Sequence, residues 1–132
     1  MISRRIIRTK VLQIIYAYYS APGKTLSSTE KELFFCINKI YELYHYLLAL
    51  VIEIADYAGE RIEIRRNKHQ PSHEDLNPNT KFIHNQVLQQ LRENRQLKTY
   101  LEQKKLNWTD NPELVKTLYH FLKESDFYKE YM

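Results

Sequence analysis

The chain has 132 residues, room for one domain with a modest core, and its two glycines and four prolines leave little material for tight turns, so long helices are expected. The formal net charge is +4, yet residues 1–29 hold five basic groups and no acid, so the excess is local and points to an anionic partner. One cysteine excludes intramolecular disulfides and multi-cysteine zinc sites. No unbroken apolar run approaches the length of a membrane span, and no membrane partner is expected.

In the first segment, MISRRIIRTKVLQIIYAYYS, Ile7, Val11, Ile14 and Tyr18 recur at three- and four-residue spacing, the period of a helix with one buried face. Ser3 stands where an N-cap belongs. Arg4, Arg5 and Arg8 crowd the positive end of the helix dipole, a local cost more often met at functional surfaces. Beside the apolar face, Arg5, Arg8, Leu12, Tyr16 and Tyr19 form a second strip, with Thr9 and Gln13 at its polar edge. Two readings fit. The strip holds single-stranded nucleic acid, guanidinium groups on phosphates and bases on rings. Alternatively, Tyr16 and Tyr19 pack under the next helix and the arginines are merely solvated.

The run Arg4-Arg5-x-x-Arg8-x-x-x-x-Gln13-x-x-Tyr16 resembles the N-terminal helix of the NusB family of transcription antitermination factors. Gln13-Ile14-Ile15-Tyr16 stands for the family's Gln-x-Leu-Tyr-like sequence, and Val11 replaces a commonly smaller residue. The resemblance implies binding of boxA-like single-stranded ribosomal RNA transcript segments through Arg4, Arg5, Arg8, Gln13 and Tyr16. It further implies the ribosomal protein NusE and the transcription elongation complex as partners. The lone cysteine fits a reducing cytoplasm, and the sequence offers no nucleophile with a nearby base, no glycine-rich phosphate loop and no paired-ligand metal motif, so neither enzymatic activity nor a cofactor is expected. A related alternative is the NusB-like accessory domain of a ribosomal RNA cytosine methyltransferase. A third reading is a helical protein–protein adaptor.

Pro22-Gly23 marks a turn, and Gly23-Lys24-Thr25 lacks both the earlier glycine and the preceding strand of a phosphate loop. Ser27-x-x-Glu30 has capping-box form. From there Leu33, Ile37, Ile40, Tyr44, Leu47, Val51, Ile54 and Ala58 alternate spacings of four and three, so one helix from about Ser28 into the sixties is expected as the spine of the core. Cys36 within it reads as a small buried hydrophobe. Arg61, Arg65, Arg66 and Lys68 at its end suit a helix C-terminus, or form a second phosphate-contacting patch.

Residues 67–80 read as an internal loop, in which His69, His73, Glu74 and Asp75 are solvated rather than metal-binding. A third helix is expected from Asn79 or Thr80 to about Leu106, with Ile83, Val87, Leu91 and Leu101 on its apolar side. Thr109-Asp110-Asn111-Pro112 opens a fourth with Leu114, Val115, Leu118, Phe121 and Leu122 inside. The C-terminal SDFYKEYM carries no stop signal. It reads as a cut, in a longer family member or a diverged short form, with Phe127, Tyr128 and Tyr131 uncovered and able to drive homodimerisation. The expected architecture is thus all-α: one domain over residues 1–132, a bundle of about four helices around one long central helix.

Overall fold

The computed structural model describes residues 3–132, and these are mostly helical with no strand among them. Seven helices follow in order: α1 (Arg4–Ser20), α2 (Leu26–Arg66), α3 (His73–Leu76), α4 (Gln86–Glu93), α5 (Arg95–Lys104), α6 (Pro112–Glu124) and α7 (Asp126–Tyr131). The all-α class and the long helix match the periodicity, whereas the count of about four does not. The chain divides into two units, Met1–Tyr44 and His45–Met132, with α2 contributing to each.

In the first unit Ser3 caps α1, its hydroxyl accepting from the Ile6 N–H at 3.4 Å. Ile14 is buried on this helix. The cap of α2 is Thr25 rather than Ser27. Thr25 and Ser28 exchange backbone N–H to hydroxyl bonds, each 3.2 Å, a reciprocal box two residues earlier than the Ser27-x-x-Glu30 pattern suggests. Lys24 pairs with Glu32 at 2.6 Å, tying the turn to α2.

In the second unit the most enclosed positions of α2 are small, Ala55 and Ala58. Tyr46 stacks on Trp108 at 4.0 Å, and the indole N–H donates to the Tyr46 carbonyl at 2.9 Å. His45 stacks on Tyr100 at 4.1 Å, and Tyr57 meets Tyr119 edge-on. Arg92 pairs with Asp56 and also donates to the Ile83 carbonyl. Leu88, Leu97, Val115 and Tyr119 complete the buried set. By contrast Tyr44, Leu47 and Val51, mid-spine by periodicity, are exposed.

The expected third helix is two helices. Residues 80–84 turn, Asn85 caps α4 by accepting from the Val87 N–H, and Asn94 ends α4 while accepting from the Leu97 N–H to start α5. Short polar side chains that bond neighbouring backbone break helices at such points. The buried leucines are accordingly Leu88 and Leu97, and Val87 is exposed. The 67–80 segment holds the single-turn α3, with Ser72 and Asp75 in a capping box. The Ser72 backbone N–H and the Lys68 ammonium hold the Asp75 carboxyl below its ordinary pKa. Ser125 plays a double part like that of Asn94, closing α6 and capping α7 by accepting from the Tyr128 N–H. Of the three aromatics expected to lie uncovered, only Phe127 does. Tyr128 packs edge-on against Phe82, and the Tyr131 hydroxyl accepts from the Asn85 amide.

By length and composition α2 could cross a membrane, since its most apolar window has a mean hydropathy of 1.2. This is an average over the window and not an unbroken apolar run. Core helices of soluble proteins meet the same measure.

Glu53 is raised in pKa by partial burial and by the nearby Asp56 and Glu60 carboxylates. A carboxyl with a folded pKa above its unfolded value penalises the native state while ionised, and the penalty lifts as pH falls through the folded pKa. Glu53→Gln is therefore expected to raise stability at neutral pH by a few tenths of a kcal/mol, given the solvent screening. Urea midpoints at neutral and acid pH check this. The gain disappears once Glu53 itself is protonated.

Candidate nucleic-acid interface

Residues 4–20 hold their helix through the Ser3 cap and the apolar stripe, and everything else on α1 is free to face outward. At 100° per residue, Arg8, Tyr19, Leu12, Arg5 and Tyr16 fall in an arc of about 80°, whose centre lies roughly 160° from Ile14. The structure leaves this arc open. Leu12 is 69%, Tyr16 74% and Tyr19 82% exposed, and Arg5 and Arg8 are exposed as well. The packing of Tyr16 and Tyr19 beneath a neighbouring helix, the bland alternative, is not what the fold does.

Arg4 and Gln13, both exposed, flank the arc on its two sides. All five candidate residues, Arg4, Arg5, Arg8, Gln13 and Tyr16, thus reach solvent from one helix. None of the three arginines forms an ion pair among the described residues, and the first turn of α1 contains no acid. Tyr18 and Tyr19 meet edge-on at 5.3 Å, and Tyr19 stays largely exposed. From Arg5 to Tyr19 the strip runs roughly 21 Å along the helix axis. Two guanidinium groups, two phenol rings and an amide on one rigid rod can pair with phosphates, stack bases and read a base edge.

The basic groups ending α2 are a different case. Arg61, Arg65 and Arg66 are exposed, and Lys68 is drawn to Asp75 at 3.4 Å. Arg65 and Arg66 occupy the last turn, where the helix dipole favours cations. Among the described residues no group of three His, Cys, Asp or Glu side chains comes together to hold a metal ion. Comparison with protein-family models, with curated proteins and with solved structures found no match to this chain.

Proposed function

We propose that this chain is an RNA-binding module of the NusB type, gripping boxA-like single-stranded RNA with the outward strip of α1. The observation that carries the reading is the exposure of Arg5, Arg8, Leu12, Tyr16 and Tyr19 together on one acid-free helix face. A helix holding cations at its positive end, with bare rings beside them, gains nothing for its own stability from that arrangement. It gains when a polyanion with stacking bases arrives. Recognition is then arginine–phosphate pairing, base stacking on Tyr16 and Tyr19, and an amide contact from Gln13. The ribosomal-protein partner and the transcription elongation complex enter by resemblance to the same family. Exposed Phe34, Phe35, Tyr41 and Leu43 on α2 favour protein contact as a second activity of the module.

The test is the salt dependence of binding to a boxA-like RNA. For single strands log K falls against log salt with a slope near −0.7 per phosphate contact, so Arg5→Ala with Arg8→Ala is expected to flatten the slope by roughly 1.4. Folding stability stays unchanged or rises slightly, as the dipole penalty is removed. Tyr16→Ala is expected to weaken binding by about 1–3 kcal/mol and leave the slope alone. An unaltered affinity and slope in the arginine pair variant would refute the interface. Salt-insensitive association would move the assignment to a protein adaptor.

A further inference from the structure

The second unit contains a cavity of about 420 Å³, within the size range of small-molecule sites. Its wall includes the rings of Phe82, Tyr119 and Tyr128 and the cationic side chains of Arg65 and Lys123. Tyr119 is only 7% exposed, yet its hydroxyl has no hydrogen bond among the described residues. A tyrosine buried to that degree ordinarily finds a partner for its O–H. No sealed side-chain oxygen in the described chain lacks a partner, so this hydroxyl is not sealed off, and Tyr119 is among the residues that line the cavity. Burial raises the Tyr119 pKa, while Arg65 and Arg61 pull it down, so the guanidinium charges are felt at the phenol oxygen.

The charge of the wall is unbalanced. Arg65 and Lys123 form no ion pair among the described residues. Two carboxylates also line the cavity, but Asp75 is engaged by Lys68 and the Ser72 N–H, which leaves Glu74 against two cations. A neutral O–H donor, two spare cations and aromatic walls ask for a ligand with an anion at one end and a flat ring at the other. Three donors suit the three terminal oxygens of a phosphate monoester better than the two of a carboxylate. Inorganic phosphate alone would leave the rings unused.

We propose that this cavity binds a nucleoside monophosphate, with the base against Phe82 and Tyr128 and the phosphate held by Arg65, Lys123 and the Tyr119 hydroxyl. The nucleotide comes either free or as the phosphorylated end of an RNA strand. No residue is shared with the strip on α1, so the two sites stand or fall separately.

Calorimetric titration of the full chain with AMP and UMP tests the site, with adenosine and inorganic phosphate as half-ligands. At least one nucleotide is expected to bind, and each half-ligand to bind at least about ten-fold more weakly. Tyr119→Phe keeps the ring and its packing, and is expected to weaken nucleotide binding about ten-fold through one lost charge-assisted hydrogen bond. Arg65→Gln and Lys123→Gln weaken it comparably, whereas the Arg5→Ala, Arg8→Ala pair leaves it unchanged. A 5′-phosphorylated oligonucleotide that outcompetes AMP identifies the source as RNA, and one that does not identifies the free nucleotide. Absence of binding by both nucleotides at millimolar concentration overturns the proposal. So does adenosine binding as tightly as AMP, or affinity unmoved by Tyr119→Phe and both cation variants.

Discussion

Trp108→Ala is expected to destabilise the chain by about 3–5 kcal/mol, the range for removing a large buried aromatic. Trp108 lies in the loop between α5 and α6, so its anchoring comes from tertiary contacts. Its ring is stacked at 4.0 Å on Tyr46, nearly parallel, and its N–H is bonded to a helix carbonyl sixty-two residues away in sequence. Losing it removes both the stacking and the anchor of the α5–α6 loop. Trp108→Phe retains much of the packing but not the donor, and about 1 kcal/mol is expected to be lost. Because Trp108 is the sole tryptophan, urea unfolding of the variants is followed by far-ultraviolet circular dichroism. A shift of only a few tenths of a kcal/mol for the alanine variant would show that the loop is not anchored there.

The second large effect is expected at Leu97, which is 4% exposed on α5. Leu97→Ala falls in the class of buried leucine truncations, about 2–5 kcal/mol. Leu47→Ala makes the informative control. Sequence periodicity places Leu47 in the middle of the core, whereas the fold leaves it 49% exposed. Its truncation is expected to change stability by less than about 1 kcal/mol. Parallel urea titrations of the two variants separate the alternatives, and equal losses would restore the spine as the core.

The difference between these leucines shows what periodicity can and cannot tell. The 4-3 spacing from Leu33 to Ala58 correctly marks a helix, and α2 runs close to the expected bounds. Spacing reports that a face is apolar, but not which neighbour covers it: it marks the exposed Leu47 and passes over the buried Leu97. Some capping residues are legible in the sequence, although the caps of α2 and α4 fall at Thr25 and Asn85 and not at the expected Ser27 and Asn79 or Thr80. Ser3 caps α1, and Pro112 opens α6 behind Asn111, although Asn111 makes no side-chain cap bond. They were missed at Asn94 and Ser125, where one residue serves two helices and the flanking sequence stays helix-compatible on both sides. On α1 the strip of Arg5, Arg8, Leu12, Tyr16 and Tyr19 could be read from spacing, since a single helix fixes their shared face, whereas Arg4 and Gln13 entered through the family resemblance. The choice between exposed and packed tyrosines required the burial that only the fold supplies. The cavity left no local signal, because Arg65, Phe82 and the α6 pair Tyr119 and Lys123 come from three separate segments.

The bonds between residues 79–85 and the chain's last residues have a consequence for the order of events during synthesis. Asn79 donates to the Met132 carbonyl at 2.7 Å, Lys81 reaches the Tyr131 carbonyl, and both span fifty or more positions. The capping boxes at Thr25 and Ser72 need only three residues of nascent chain and can close as soon as these leave the ribosome. The closure at Asn79 must wait for the whole intervening stretch, at the larger entropy loss of a long loop. The wall carrying Tyr128 and Met132 is therefore set later than those local caps, and a ribosome stalled before Asp126 presents a nascent chain with Phe82 bare. Holdase chaperones that recognise exposed aromatics have their window in that interval.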